Sequence, residues 1–511
     1  MNNKTIKNVG IILGCSIAAK ILSYIWEATL AAFLGVSDQT DAFYMTTSIF
    51  GILYPILDLG IWKVFLPAYK TQLVENNDEK AGEVANIAVT LFLTISVALV
   101  LFLLICARPL VAIIAPGFAA EKRMMTIQYL RISAPMYLLM TTASVVGAML
   151  QSREKFLGSQ VRELGTHISK IIFILVFYHF FGIYAAVTAM IVGSVFRLLV
   201  QLPFINWRWK FRLNFNFKDP DIIPMLKGLP SVAITAAIAQ INGLIDKIVA
   251  SGAEIGSVSC LNYGHKLMDV FSGMISTAIA TAIYPSIIQH VAKKEDEKLR
   301  ELLRNVFCAL MFFIIPTSLF CFLFSNDLVT VAFQRGAFDA TATDLTSSVF
   351  IGYCLGMLFI GVSTVVTNVF YSYGDTKITM YISIIQVVLN IVFDLLFVRF
   401  WGVAGLAFAT SVSAIICLGI RLFYLNKYIT IGYRSTAIEG AKIIALSLIA
   451  CIAPYMLVNK LIHLNVYLSL IISAVVSVGI YMVSAYVLHI RTLDFIRSLI
   501  GNRLGRKKSS Q

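Results

Sequence analysis

Apolar runs of about 20 residues recur from one end of this chain to the other, each long enough to cross about 30 Å of hydrocarbon as a helix. A membrane interior satisfies no backbone polar group, so such runs have to form helices that close their own hydrogen bonds. The runs fall near 8–35, 41–66, 85–107, 126–150, 159–181, 183–205, 222–250, 258–289, 301–324, 343–371, 377–399, 402–425, 438–459 and 464–489. The reading is an all-α integral membrane protein of fourteen transmembrane helices with no soluble domain. A hydrophobic content of 59% and a mean hydropathy of +0.83 agree with it.

Charge is read by position. Lys and Arg number 41 against 27 Asp and Glu, an excess that would suit nucleic acid in a soluble chain. Here the basic residues gather in alternate connections: Lys70 and Lys80, then Arg153, Lys155 and Arg162, then Arg208 to Lys218, then Lys293 to Arg304. That alternation is the positive-inside pattern of a chain with both termini cytoplasmic. Nucleic-acid binding is excluded as the meaning of the excess. The N-terminus has no small-residue cleavage site after its apolar run, so a retained first span is expected and not a signal peptide. Eight cysteines stand almost singly inside apolar runs and read as small core residues. No HExxH, phosphate loop or nucleophile elbow occurs, so no enzyme and no enzymatic cofactor is expected.

An internal repeat sets the domain organisation. A shift of about 218 to 220 residues places Pro67 on Pro285, Asn77–Lys80 on Glu295–Lys298, Leu110-Val111 on Leu328-Val329, and Phe181-Gly182 on Trp401-Gly402. Six spans fit inside the shift. An even number gives two halves of parallel topology, related by an axis along the membrane normal, with a central site between them. The expected division is an N-terminal six-helix lobe at 1–206, a cytoplasmic linker at 207–221 and a C-terminal six-helix lobe at 222–430. Two further helices at 431–490 form an appendage, followed by a basic cytoplasmic tail at 491–511.

Charge inside the spans marks candidate function. Lys20 and Glu27 lie seven residues apart in the first span, within about 20° of one helical face. An ionisable group in hydrocarbon faces a partner or a water-filled cavity. Lys20 and Lys266, with His265, come from opposite halves and would line a central cavity with cations, which suits a diphosphate. Glu27, Asp41, Asp58 and Asp269 keep open an exporter of organic cations. Pairing of Lys20 with Glu27, or of Lys266 with Asp269, is the structural alternative.

Eight motifs occur in order: GVSDQTDAF (Gly35–Phe43), FLPAY (Phe65–Tyr69), APGF (Ala115–Phe118), GAMLQS (Gly147–Ser152), HKLMDVFSG (His265–Gly273), YPSI (Tyr284–Ile287), FQRGAFD (Phe333–Asp339) and FYSYGDTK (Phe370–Lys377). Over roughly residues 5 to 430 the chain resembles the MurJ/MviN-type lipid II flippases of the multidrug/oligosaccharidyl-lipid/polysaccharide (MOP) exporter superfamily. The resemblance implies V-shaped lobes around a central cavity. It also implies outward movement of an undecaprenyl-diphosphate-linked precursor for peptidoglycan, lipid II foremost, by alternating access in a bacterial inner membrane. The expected partners are that substrate and membrane lipid, and the expected state is a monomer. A capsule or exopolysaccharide repeat unit and a multidrug cargo are the rival readings.

In that family the N-terminal half presents essential arginines to the cavity, and Lys20, Trp26 and Tyr54 occupy those positions here. Asp41 matches the aspartate of the TDAF motif, Lys266 stands for an arginine and Asp269 for a glutamate. Lysine offers a point charge and tryptophan a stacking surface suited to sugar, where an arginine fork would grip a diphosphate. The family's sodium site implies a second set: Asp246, Asn390, Asp394, the backbone carbonyl of Leu406, and Thr410. Pairing of Asp246 with Lys247 or Arg399 is the structural alternative.

Overall fold

The computed structural model describes residues 3–493 apart from 76, 206, 208, 462–464, 489 and 491. The expected basic tail lies, from residue 494 on, outside the described residues. In chain order the helices are α1 (Asn3–Leu34), α2 (Asp38–Gly60), α3 (Leu66–Val74), α4 (Asp78–Ile114), α5 (Ala120–Ser133), α6 (Met136–Ser152), α7 (Phe156–Phe181), α8 (Ile183–Leu199) and α9 (Ile223–Ala250). They continue as α10 (Ser257–Met268), α11 (Met274–Ala292), α12 (Asp296–Leu323), α13 (Ser325–Phe333), α14 (Ala340–Cys354), α15 (Met357–Ser372), α16 (Thr376–Leu425), α17 (Tyr433–Leu461) and α18 (Val466–Val487). No strand forms among the described residues. Among the described residues ten helical stretches are long and apolar enough to cross a membrane, or up to twelve if each of two bent pairs counts as one span.

Local sequence explains the punctuation. Ser37, Asn77, Asp339 and Asp375 cap α2, α4, α14 and α16 by accepting a hydrogen bond from a backbone N–H of the first turn. The turns FFG (Phe180–Gly182) and FWG (Phe400–Gly402) work through their glycines. Gly182 lies at φ +52°, ψ −134° and Gly402 at φ +55°, ψ −139°, a left-handed corner that side chains with a Cβ rarely adopt. Gly402 thereby folds α16 into two limbs. The two bent pairs are alike as well: α5 and α6 meet at 43° beside Pro135, and α14 and α15 at 45° beside Gly356. A Cβ on Gly356 would stand 2.6 Å from Ser411 Oγ. Two π-helical turns, Ile61–Phe65 and Asp269–Gly273, interrupt the α2–α3 and α10–α11 rods. Such turns re-aim side chains and concentrate at functional positions.

Contacts divide the chain into two units, Met1–Ser259 with Arg335–Phe338, and Cys260–Gln334 with Asp339–Gln511. The division falls one span later than the 207–221 linker, because α9 packs along α2 within the first unit. The same unit pairs α1 with α7, α7 with α8, and α6 with both α4 and α8. A buried cluster of Ile61, Phe65, Tyr69, Val84, Phe92 and Met149 forms part of its core. The second unit packs α14 and α15 on α16, α12 on α17, and α17 on α18. Phe312, Ile443 and Tyr481 pack α12, α17 and α18 together, with the Tyr481 hydroxyl donating to the Phe312 carbonyl at 2.9 Å.

The linker is strapped to the start of α4. Asn86 accepts from Trp209 Nε1 at 3.1 Å and from the Arg212 N–H at 3.3 Å, and Lys80 reaches Asp219 at 2.7 Å. Burial alone would raise the Asp219 pKa, but the Lys80 ammonium and the Asp221 backbone N–H outweigh it and hold the carboxyl below its usual range.

Candidate functional site

In the first unit Asp41 is 1% exposed and its carboxylate is fully engaged. It accepts from Lys122 Nζ at 2.6 Å, from the Gly256 and Ser259 backbone N–H groups at 2.8 Å each, and from Ser259 Oγ at 2.6 Å. Lys122 also reaches Asp38 at 2.8 Å. The acid sits at the first turn of α10, where unsatisfied N–H groups and the helix dipole favour an anion. Expected as a substrate contact, Asp41 here ties α2 to α5 and to the α9–α10 connection. The neighbouring backbone is equally close. Ala337 N donates to Ala32 O at 2.8 Å, and a Cβ on Gly336, at φ +59°, would stand 2.2 Å from that oxygen.

The first-span residues separate in environment. Lys20 is half-buried. Glu27 accepts the Tyr44 hydroxyl at 2.7 Å, and one turn along α2 Lys247 of α9 donates to Ser48 Oγ at 2.8 Å. Trp26, expected as a stacking surface, is only 5% exposed. Its ring carries the Lys170 ammonium of α7 at 4.6 Å from the centroid.

Tyr54 belongs to a polar network that joins α2, α6, α7 and α8. Its hydroxyl donates to Asp58 Oδ1 at 2.9 Å, lies 2.6 Å from Ser144 Oγ and receives Arg197 Nη2 at 3.2 Å. Trp62 Nε1 donates to the same Asp58 oxygen at 3.2 Å. Arg197 forks onto Glu163 with two bonds of 2.7 Å. Arg162 lies over the Trp62 ring at 4.8 Å and donates to Ser144 at 3.2 Å. Two guanidinium groups and two carboxylates thus balance beside the first π-helical turn.

The second unit holds the remaining candidates. His265 is exposed and meets the Tyr353 ring edge-on at 5.6 Å between centroids, and Lys266 is half-buried. Asp269 opens the second π-helical turn, where the missing Cβ of Gly273 makes room for its carboxylate. Of the sodium set, Asp246 is buried in the first unit. Asn390 and Asp394 are fully buried on the first limb of α16, Leu406 on the second. Thr410 Oγ1 donates to the Leu406 carbonyl at 3.2 Å. Neither amide atom of Asn390 has a hydrogen-bond partner among the described residues, which is costly for a buried polar group. No cluster of three or more His, Cys, Asp or Glu fit to hold a metal ion occurs among the described residues. A sodium site would draw on amide, hydroxyl and carbonyl oxygens as well. Elsewhere in this unit an apolar cavity of about 370 Å³ opens between α12, α17 and α18, lined by Phe312, Pro316, Phe320, Cys451 and Tyr481.

Sequence reasoning missed Lys122, Glu163 and Arg197, named Lys247 only as a partner for Asp246, and counted Arg162 as a loop charge. Arg197 stood inside an apolar run, and that was the available signal.

A family model, that of lipid II flippase MurJ, matches residues 30–476. A probable lipid II flippase MurJ of Buchnera aphidicola subsp. Baizongia pistaciae is 26% identical over 78% of each chain. One of Borreliella burgdorferi is 26% identical over 83% of this chain and 84% of its own. Among solved structures, lipid II flippase MurJ in an inward closed conformation superposes with a TM-score of 0.80 at 21% identity, covering 96% of this chain and all of that one. An inward-facing multidrug-resistance transporter of the MOP superfamily gives 0.66 at 15% identity, covering 80% and 94%. With the match running through nearly every helix described above, the chain belongs to the lipid II flippase MurJ family.

Proposed function

We propose that this protein carries lipid II, an undecaprenyl-diphosphate-linked cell-wall precursor, from the cytoplasmic to the outer leaflet of a bacterial inner membrane by alternating access. The family match over residues 30–476 carries the reading. Lys20 and Lys266, half-buried in the two units, supply cations for a diphosphate, with His265 and Asp269 beside Lys266. The cavity between α12, α17 and α18 suits a polyprenyl chain. Glu27 tunes the charge of the first unit through Tyr44, and Asp41 acts as a pin that holds α2 to the α9–α10 connection. An inside-negative potential assists two outgoing negative charges by about 4 to 5 kcal/mol per 100 mV.

Fourteen crossings follow when both limbs of α16 and also α9 are counted with the twelve spans. The matching Gly182 and Gly402 corners and the 43° and 45° bends support two parallel six-helix repeats plus two C-terminal helices. Both termini are then cytoplasmic, and the transporter works as a monomer without enzymatic chemistry. Asp246, Asn390, Asp394, the Leu406 carbonyl and Thr410 are the sodium ligands of this reading, supported by the unsatisfied Asn390 amide.

The deciding experiment is a lipid II accessibility assay in cells depleted of this protein. Inward-facing lipid II accumulates on depletion and is cleared by the wild-type chain, but not by one carrying Lys20→Ala and Lys266→Ala. Undisturbed accessibility on depletion refutes the cargo. Clearance by the double variant refutes the two lysines, and sodium-independent transport by Asp394→Ala at the wild-type rate refutes the ion site.

A further inference from the structure

The linker between α8 and α9 has two faces. From Trp207 to Lys218 every odd position is apolar and every even one is basic or an asparagine. That is the period of an extended chain, whose successive side chains point to opposite sides. Residues 209–216 form neither helix nor turn, and their backbone keeps the same period. The Lys210 carbonyl accepts from Asn86 Nδ2 at 3.3 Å, the Arg212 N–H donates to Asn86 Oδ1 at 3.3 Å and the Asn214 N–H to Thr90 Oγ1 at 3.0 Å, so one edge of the linker lies along α4.

The apolar face is anchored at its ends and open in the middle. Trp207, Trp209 and Phe217 pack on the buried cluster around Phe65 and Phe92. Phe211, Leu213 and Phe215 between them are 47%, 64% and 61% exposed. On the other face Lys210, Arg212 and Lys218 are exposed and form no ion pair among the described residues. The groove beside them also holds Asp78, Glu79 and Glu83, but Arg153 takes Asp78 at 2.7 Å and Lys80 takes Glu83 at 3.2 Å. The linker's basic residues therefore outnumber the one carboxylate left, Glu79.

Depth decides what covers this surface. Asn86 and Thr90 stand at the start of the apolar run 85–107, so the linker crosses α4 where the part that spans hydrocarbon begins. Aromatic side chains concentrate at that level, and clustered Lys and Arg there attract anionic head groups. We propose that the linker is an interfacial strap for anionic phospholipid, with Phe211, Leu213 and Phe215 inserted among the acyl chains and Lys210, Arg212 and Lys218 on the phosphates. The strap is independent of the cargo, because it lies on the outside of the first unit's core.

The test places the full chain in nanodiscs of phosphatidylcholine alone or mixed in equal parts with phosphatidylglycerol. Chymotryptic cleavage after Phe211, Leu213 and Phe215 is timed by mass spectrometry, beside the melting temperature. Cleavage is slower by about tenfold or more in the phosphatidylglycerol discs. The difference disappears in the folded triple variant Lys210→Gln, Arg212→Gln, Lys218→Gln, and survives when Lys210→Arg and Arg212→Lys are combined. Brominated acyl chains quench the indole added by Leu213→Trp beyond the quenching of wild type. Equal cleavage in the two lipids overturns the proposal and leaves the face to a protein partner. A lipid difference that persists in the triple variant overturns it as well, since the charges would not be its source, and an unquenched added indole refutes the insertion.

Discussion

Replacing Asp41 by alanine removes the acceptor of four hydrogen bonds at a position that is 1% exposed. Lys122 keeps Asp38 at 2.8 Å, so its ammonium is not orphaned. The loss falls on the Gly256 and Ser259 backbone N–H groups, which the carboxylate alone satisfies at the start of α10. A buried donor left without a partner costs about 1 to 3 kcal/mol, so two cost about 4 kcal/mol. At about 1.4 kcal/mol per factor of ten, local opening of this segment becomes about a thousandfold more frequent. Amide hydrogen exchange of residues 256–259 reads this directly, because it reports the opening free energy of a segment rather than of the whole chain. Asparagine keeps one carbonyl acceptor and gives an intermediate gain. Exchange in the alanine variant within about threefold of wild type refutes the argument, since the four bonds would then carry no free energy.

Gly336→Ala forces a Cβ to within 2.2 Å of the Ala32 carbonyl at φ +59° and lowers the melting temperature, whereas Gly51→Ala, with nothing within 4 Å of its added carbon, is neutral or stabilising by about 0.5 to 1 kcal/mol. Equal melting temperatures for the two would show that the close backbone approach does not matter. The Asp219 carboxyl titrates below its unfolded value, so its hold on the linker is complete above about pH 4 and is lost as the pH falls through the lower folded pKa. Trp207 and Trp209 fluorescence reports that release, and Asp219→Asn abolishes the acid transition. A transition that survives in the variant assigns it to another group.

What could be read in the sequence was local chemistry. The FFG and FWG corners and the apolar length of each run follow from backbone conformation and hydrogen bonding within a few residues. The unit boundary was not legible, because a repeat records the order of spans and not which face of α9 finds α2. Lys247 meets Ser48 only once those helices pack. Asp41 was visible as a motif residue, but its four donors come from α5, from Gly256 before α10 and from Ser259 in its first turn, at sequence separations of 81 and more. Arg162 read as a loop charge because counting basic residues near span ends cannot tell a solvated end from one that folds back over Trp62.

Trp26 and Tyr54 bear most directly on cargo. An aromatic in place of an arginine removes a charge from α1 or α2, and read along the chain that weakens the case for a diphosphate. The folded first unit returns a cation to each position, Lys170 at 4.6 Å from the Trp26 ring and Arg197 at 5.8 Å from the Tyr54 ring. The potential felt by a ligand depends on where the charge lies and not on which helix carries it. At an effective dielectric of about 20, moving a unit charge from 4 to 6 Å lowers its attraction for an anion from about 4 to about 3 kcal/mol, whereas deleting it loses the whole amount. Lys170 therefore offsets most of the exchange at Trp26. Arg197, forked onto Glu163, offsets little at Tyr54, where Arg162 too stands within 4 Å of the Glu163 and Asp58 carboxylates.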